Sequence, residues 1–144
     1  MVGYDSHLGR WKSQTRRLGL APYICFLGGR RDPETCYGAG DLYVLPTRYD
    51  PFANSTLEAL ASGLPVITTD TNGGCEVIKH GVHGAVIAGS QHQEALFSAL
   101  LQWTDRDRLS QSMQVIRAQA ECHCVKSELA ASAKVLLEVA AKET

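Results

Sequence analysis

The sequence lacks a surplus of either charge, a long apolar run and a recognisable N-terminal targeting segment. Its 14 Lys and Arg residues face 15 Asp and Glu residues, for a formal net charge of −1. A dedicated nucleic-acid-binding protein needs a clustered positive surplus to neutralise phosphates, so this balance argues against one. No apolar run approaches the roughly 20 residues of a membrane-spanning helix, and Asp5, Arg10 and Lys12 interrupt any signal-peptide pattern. We therefore expect a cytoplasmic protein without nucleic-acid partners.

A disulfide framework is missing as well, because the five cysteines are an odd number without regular spacing. We expect free thiols in a reducing compartment. The run Cys122-His123-Cys124 falls in a predicted helix, where successive side chains point about 100° apart and cannot converge on one ion. The sequence therefore predicts no metal site.

Two common catalytic motifs are also absent. The chain has neither a G-x-x-x-x-G-K-[ST] phosphate loop nor a G-x-S-x-G nucleophile elbow. Gly38-Ala39-Gly40 precedes a predicted strand, whereas a dinucleotide fingerprint follows one. These absences argue against P-loop nucleotidases, α/β-hydrolases and dinucleotide-dependent oxidoreductases.

What the sequence does contain is an alternation of short apolar runs with helical stretches. The predicted strands are Tyr23–Leu27, Leu42–Leu45, Pro65–Thr69 and Ala85–Ile87. The predicted C-terminal helices are Gln93–Trp103, Asp105–Glu121 and Lys126–Lys142. Strands without polar alternation, separated by helices, indicate a parallel sheet covered on both faces. We therefore predict an α/β fold: a Rossmann-like parallel sheet with flanking helices and a helical C-terminus.

Ligands of an open parallel sheet bind beyond the carboxyl ends of its strands. Three polar or glycine-rich loops lie there, and the loop Thr47–Asn54 is the most informative. Asn54 is a candidate N-cap of the helix that follows. The free amides of its first turn, together with the helix dipole, would favour an anion such as a phosphate.

Two carboxylates flank this predicted anion site. Glu58 lies one helical turn after Asn54, where its two oxygens suit the vicinal hydroxyls of a ribose. Asp50 precedes the helix and could hold the hydroxyls of a second sugar. This order suits a sugar–diphosphate–nucleoside. The residues alone are equally compatible with a purely structural interpretation, in which Asp50 and Asn54 cap a helix and Glu58 is solvated.

The stretch Asp41–Glu76, DLYVLPTRYDPFANSTLEALASGLPVITTDTNGGCE, resembles the donor-binding region of retaining family 4 (group 1) glycosyltransferases with the GT-B fold. The family's pattern there is an acidic residue, Pro-Phe-Gly, four residues, Glu-Ala, and then Gly-x-Pro-Val and Gly-Gly-x-x-Glu. Weaker similarity extends over nearly the whole chain. The resemblance implies that residues 1–144 are the C-terminal nucleotide-sugar-binding domain of such an enzyme, one half of a GT-B architecture without its first strand–helix unit.

The resemblance also implies roles for the two carboxylates. Glu58 matches the family's ribose-binding Glu, and Asp50 matches the catalytic-site Glu that contacts the hydroxyls of the donor sugar. Asp50 is one methylene shorter than that Glu, so the reach of the carboxylate or the preferred sugar would differ.

Further binding positions follow from the same resemblance. Backbone amides around Phe52, Ala53 and Asn54 would contact the sugar, although Ala53 replaces the family's Gly. Ser55 would lie near the diphosphate. The loop from Gly28 to Arg30 matches the place where the family holds the base.

The implied reaction transfers a hexosyl group from a UDP- or GDP-sugar to a hydroxyl acceptor with retention, without a metal or another cofactor. The Tyr-Asp-Pro-Phe variant resembles enzymes of lipopolysaccharide and cell-surface glycan synthesis. The expected partners are the nucleotide-sugar donor and an N-terminal acceptor-binding domain. Any peripheral membrane association would occur only through that domain.

The family's Arg and Lys at the diphosphate are not matched here, so we expect this chain alone to be inactive. The alternative is a non-catalytic α/β module that binds a nucleotide or a protein partner.

Overall fold

A computed structural model describes residues 1–121, 123, 130 and 133–134. Cys122, Cys124 and most of the predicted helix Lys126–Lys142 lie outside the described residues. The chain divides into two compact units, Met1–Cys36 and Tyr37–Thr144. Across the described ranges, no helix is both long enough and apolar enough to span a membrane.

The first unit contains helix α1, Leu8–Arg17. Its C-cap is Leu18, and the next residue, Gly19, has a φ of +71°. Helix α2, Pro33–Gly38, begins in this unit and ends in the second. The predicted strand Tyr23–Leu27 is wrong as a regular element. Its neighbour Gly28 forms an isolated parallel bridge with Val2, and Tyr23 is 84% exposed. Such a short pairing does not extend into a hydrogen-bonded ladder, so the apolar run stays irregular.

The second unit contains three parallel strands in the order β1-β2-β3. The strands are β1 Tyr43–Leu45, β2 Val66–Thr69 and β3 Gly84–Ile87. Up to Glu121, the described helices of this unit after α2 are α3 Asn54–Ala61, a 3₁₀ helix Gly73–Val77, α4 Gln93–Trp103 and α5 Arg106–Glu121. Three of the four predicted strands and two of the predicted C-terminal helices are therefore confirmed to within two residues.

Helices cover both faces of this sheet. Side chains of β2 alternate, so that Val66 faces one apolar cluster and Ile67 the other. The first cluster joins α3 and α5 through Leu60 and Ile116, and the second contains Trp103 of α4. All five of these side chains are at most 1% exposed. This packing accounts for the apolar, non-alternating strands of the sequence.

The pairing of β3 with β2 requires a glycine at its first residue. Gly84 has a φ of +148°, and a Cβ added there would lie 1.8 Å from the carbonyl oxygen of Val66. A side chain at this position would therefore force the two strands apart. On the other side of β2, Val66 pairs with Tyr43 of β1.

His83 precedes β3 and is buried, with 5% of its surface exposed. Its Nδ1 accepts a hydrogen bond of 3.2 Å from the amide of Lys79. Burial lowers the pKa of His83 below its ordinary value of 6.5, a backbone hydrogen bond with Val77 opposes this effect, and the charge of Lys79 adds to it. The folded chain therefore favours the neutral imidazole.

This shift predicts a loss of stability in mild acid. Below pH 6.5 the unfolded chain binds a proton at His83 more readily than the folded chain does, so the free energy of unfolding should fall as the pH drops from 7 to 5. Urea titrations at several pH values would measure this slope. His83→Asn, which retains an acceptor for Lys79, should flatten the slope, whereas the same change at exposed His92 should not. An unchanged slope in His83→Asn would contradict the prediction.

Candidate nucleotide-sugar site

The loop that follows β1 is tied to the end of β2 by hydroxyl groups. Thr68 Oγ1 donates to the carbonyl oxygen of Leu45 at 2.8 Å, and Thr69 Oγ1 donates to that of Thr47 at 2.7 Å. Thr71 Oγ1 donates to the same Thr47 oxygen at 3.2 Å. These bonds continue the contact between the two strands beyond their carboxyl ends, where the sequence predicts the site.

Asn72 is the centre of this region and is fully buried. Its Nδ2 donates to Thr68 Oγ1 at 2.9 Å and to Thr56 Oγ1 at 3.3 Å. Its Oδ1 accepts from the amides of Ala53 at 3.2 Å and Gly74 at 3.0 Å. An Asn amide group offers two donors and an acceptor oxygen with two lone pairs, so all of its bonding capacity is used. One side chain thereby joins β2, α3, the 3₁₀ helix and the loop that carries Asp50.

The backbone of Asp50 pairs with the residues on either side of Asn72. Its amide donates to the oxygen of Thr71 at 3.1 Å, and its carbonyl oxygen accepts from Gly73 at 2.9 Å. A Cβ at Gly73 would lie 1.9 Å from the carbonyl oxygen of Pro51. The position of Asp50 therefore depends on a glycine at residue 73.

The carboxylate of Asp50 also closes a local turn. Its Oδ1 accepts from the amide of Phe52 at 3.0 Å, the two-residue spacing of an Asx turn. Its Oδ2 has no hydrogen-bond partner in the part of the chain that the structure describes. Asp50 is partly exposed, so one oxygen shapes the loop and the other is available to a ligand.

Helix α3 begins differently from the prediction. Its N-cap is Ala53, and no side chain caps it, so the prediction that Asn54 caps the helix is wrong. Asn54 is the first helical residue, because Ala53 has extended backbone with φ −70° and ψ 103°. The amide of Thr56 donates to the oxygen of Ala53 at 2.8 Å. Among the described residues, the amides of Asn54 and Ser55 meet no acceptor, as expected in a first helical turn.

Two of the amides assigned to the sugar by resemblance are already engaged. The Phe52 amide is bound by Asp50, and the Ala53 amide is bound by Asn72. Ala53 is buried, whereas the Phe52 side chain is 38% exposed. The role of Phe52 and Ala53 at the ligand stays a prediction, with the amides of Asn54 and Ser55 now the available anion donors.

Two tyrosines that the sequence analysis did not predict bind the polar side chains of α3. Tyr43 in β1 donates its hydroxyl to Ser55 Oγ at 2.6 Å. Tyr37 in α2 donates its hydroxyl to Glu58 Oε2 at 2.8 Å. The two rings are tilted by 58°, with centroids 6.0 Å apart. One feature of the sequence could have indicated this contact: Tyr43 carries a polar hydroxyl in a strand that is otherwise aliphatic.

The charge of both carboxylates acts on one hydroxyl group. Burial raises the pKa of Tyr43 above its ordinary value of 10, the hydrogen bond to Ser55 lowers it, and the charges of Glu58 and Asp50 raise it. Asp50 and Glu58 therefore lie within electrostatic reach of the same point. Ser55, in the first turn of α3, is hydrogen-bonded to the same hydroxyl, so all three predicted site residues act on Tyr43.

Gly28 and Arg30 belong to the first unit and are described within it. Gly28 has a φ of +69°, and its carbonyl oxygen accepts from the amide of Gly3 at 2.9 Å. Arg30 binds Asp32 through two bonds, Nε to Oδ1 at 2.9 Å and Nη2 to Oδ2 at 2.6 Å. These bonds raise the pKa of Arg30 and lower the pKa of Asp32. A role for either Gly28 or Arg30 at a base stays a prediction.

The described cysteines, Cys25, Cys36 and Cys75, are free thiols, as predicted. Burial raises the pKa of the Cys75 thiol, and the charges of Glu76 and Asp70 raise it further. Within the described ranges, no group of three or more His, Cys, Asp or Glu side chains is arranged to hold a metal ion.

A family model described as glycosyl transferases group 1 matches residues 1–106, nearly three quarters of the chain. The chain belongs to the group 1 glycosyl transferases. This membership confirms the resemblance found in the stretch that contains Asp50 and Glu58.

Curated relatives of this glycosyl transferase chain include the lipopolysaccharide core biosynthesis mannosyltransferase LpsB of Rhizobium meliloti strain 1021. The two are 34% identical over 111 residues, which cover 76% of this chain and 31% of LpsB. The chain therefore spans about a third of the length of this relative.

Solved glycosyltransferase structures share the fold. WaaG, a glycosyltransferase involved in lipopolysaccharide biosynthesis, matches with a TM-score of 0.75 and 29% identity, covering 83% of this chain and 32% of WaaG. HepE of Anabaena in complex with UDP matches with a TM-score of 0.72 and 26% identity, covering 83% of this chain and 34% of HepE. The predicted α/β class, a Rossmann-like parallel sheet of the GT-B glycosyltransferases, is confirmed.

The Asn72 network yields a stability prediction. Asn72→Ala removes the acceptor of two backbone amides and the donor to two buried hydroxyls, so the free energy of unfolding should fall by about 2–4 kcal/mol. Asn54→Ala is the matched control. The exposed Asn54 side chain has no hydrogen-bond partner in the described ranges, and its loss should cost under about 0.5 kcal/mol. Equal losses in urea titrations of the two variants would contradict a central role for Asn72.

Proposed function

We propose that this chain is the donor-binding part of a retaining glycosyltransferase that transfers a hexosyl group from a UDP- or GDP-sugar to a hydroxyl acceptor. The observation that carries the proposal is the grouping of Asp50, Ser55 and Glu58 around the first turn of α3. In a group 1 glycosyl transferase, this grouping combines two sugar-binding carboxylates with open backbone amides between them. It suits a ligand with hydroxyls at both ends and negative charge in the middle.

The diphosphate would bind at the start of α3. The amides of Asn54 and Ser55 are open there, and the positive end of the helix dipole favours an anion. Ser55 Oγ accepts the proton of Tyr43, so its own hydroxyl proton is free to point toward a phosphate oxygen. These neutral donors can hold a phosphate without a local cluster of lysines or arginines.

The two carboxylates would hold the sugars at either end. Glu58 would accept hydrogen bonds from the ribose hydroxyls, and Asp50 would accept a hydroxyl of the transferred hexose through Oδ2. During transfer, the bond between the anomeric carbon and the diphosphate breaks as the acceptor oxygen bonds to the same face of that carbon. The acceptor hydroxyl gives its proton to the oxygen of the departing diphosphate, and the nucleoside diphosphate leaves.

Lipopolysaccharide or another cell-surface glycan is the proposed destination of the sugar. LpsB is a mannosyltransferase of lipopolysaccharide core biosynthesis, and the Escherichia coli K12 relative WaaG, 32% identical over 100 residues, is a lipopolysaccharide glucosyltransferase. Both relatives are about three times as long as the matched region or longer. We propose that an N-terminal domain supplies the acceptor site, and that residues 1–144 form the C-terminal domain and are inactive without it.

Binding of the nucleotide should depend on Glu58. Calorimetric titration of the 144-residue chain with UDP-glucose and GDP-mannose should show binding of one of these ligands. Glu58→Gln should weaken the affinity for that ligand about tenfold or more, because charge-assisted hydrogen bonds to the ribose are lost. Glu94→Gln is the matched control, since Glu94 is exposed on α4, which packs on the opposite face of the sheet.

If neither sugar nucleotide binds the wild-type chain, the alternative of a non-catalytic partner-binding module is supported and the proposed function fails. If Glu94→Gln weakens binding as much as Glu58→Gln does, the effect arises from net charge and not from a ribose site.

The sugar itself should depend on Asp50. Asp50→Asn retains an acceptor oxygen for the Phe52 amide, and therefore the turn, but removes the charge at the proposed hexose site. We expect the sugar nucleotide to lose about three- to tenfold in affinity and the free nucleoside diphosphate to lose less. Calorimetry with both ligands measures the difference. Equal losses for the two ligands would move Asp50 away from the sugar.

A further inference from the structure

The hydrogen bond between Tyr37 and Glu58 joins residues 21 positions apart, from helix α2 to helix α3. The phenol donates its proton to Oε2 at 2.8 Å, which leaves Oε1 and part of the bonding capacity of Oε2 for other donors. A charged acceptor makes this bond stronger than one between neutral groups. The bond therefore selects one orientation of the carboxylate.

The tyrosine ring is better anchored than the carboxylate it binds. Tyr37 is partly buried and packs against the apolar cluster that contains Leu60 and Ile116. Its ring also contacts the ring of Tyr43. Glu58, by contrast, is exposed, and a free glutamate side chain loses the entropy of several torsions when a ligand fixes it. An anchored hydroxyl reduces this loss because it restricts the carboxylate beforehand.

The donor to Glu58 is neutral, which preserves the charge of the carboxylate. Neither the Arg30–Asp32 ion pair nor the contact between Asp5 and the His7 ring involves Glu58. A lysine or arginine in the place of Tyr37 would orient Glu58 but would also compete with ligand hydroxyls for both oxygens. A tyrosine hydroxyl has one proton to donate, so it orients the carboxylate without occupying it.

We propose that Tyr37 is a positioning residue that presents the Glu58 carboxylate to the ribose hydroxyls of the bound nucleotide. This inference rests on the proposed function, because it requires that Glu58 bind a ribose. It assigns to Tyr37 no contact with the ligand. Its effect is transmitted entirely through the orientation of Glu58.

The test compares nucleotides that differ only in the ribose. The ribonucleotide is UDP or GDP, whichever the wild-type chain binds, and the comparison ligand is its 2′,3′-dideoxy analogue. Calorimetry measures the binding of both ligands to the wild type, Tyr37→Phe, Glu58→Gln and the double variant. Tyr37→Phe should weaken binding of the ribonucleotide about three- to tenfold and leave binding of the dideoxynucleotide within about twofold. The double variant should bind the ribonucleotide no more weakly than Glu58→Gln. Tyr23→Phe, at a residue that is 84% exposed, controls for the loss of a phenolic hydroxyl.

Three outcomes would overturn the inference. If Glu58→Gln weakens binding of the ribonucleotide and Tyr37→Phe does not, Tyr37 does not position the carboxylate. If Tyr37→Phe weakens both nucleotides equally, its role is structural. If the wild-type chain binds no nucleoside diphosphate or sugar nucleotide, the proposed function itself fails, and this result is visible before any variant is compared.

A second variant keeps the test valid if Tyr37→Phe does not fold, as judged by circular dichroism. Glu58→Asp shortens the side chain by one methylene and withdraws the carboxylate from the anchored hydroxyl. It should reproduce the selective loss of ribonucleotide binding. Unchanged affinity of Glu58→Asp for the ribonucleotide would also contradict the inference.

Discussion

The buried side-chain amide of Asn72 is the interaction on which the candidate site depends. Its four hydrogen bonds reach β2, α3, the 3₁₀ helix and the loop before α3. A buried amide with every donor and acceptor satisfied restricts its neighbours to one arrangement, because each alternative would leave a polar group unpaired. The start of α3 and the position of Asp50 follow from this network, although Asn72 itself is inaccessible to a ligand.

The residues around the site therefore divide into a rigid inner group and an accessible outer group. Asn72, Thr56 and Thr68 are buried and bind each other. Asp50 and Ser55 are partly exposed and Glu58 is exposed. A hydrogen bond within its own turn orients Asp50, and hydrogen bonds from Tyr43 and Tyr37 orient Ser55 and Glu58. Orientation by neutral hydroxyls and amides leaves the negative charge of the carboxylates available to hydroxyl-bearing ligands.

Much of this arrangement was predictable from the sequence, and the reasons for the failures are local. The non-alternating strands predicted the parallel sheet, and the order Asp50, Asn54, Glu58 predicted one carboxylate before α3 and another one helical turn after Asn54. The N-cap of α3 is Ala53 and not Asn54. The Ala53 amide is bound by Asn72, 19 residues away in the sequence, and such a contact forms only in the fold. Tyr23–Leu27 has the composition of a strand, but composition does not reveal whether a neighbouring strand pairs with it.

The lack of room for a side chain at Gly73 limits which substitutions a protein of this kind can accept during evolution. A side chain there would collide with the backbone of Pro51, so residue 73 can vary only if the whole loop changes with it. Asn54 is open to single substitutions, because its side chain has no bonding partner among the described residues. Sequence divergence is therefore expected to accumulate at such outward-facing positions, while the backbone that presents them is inherited as one unit.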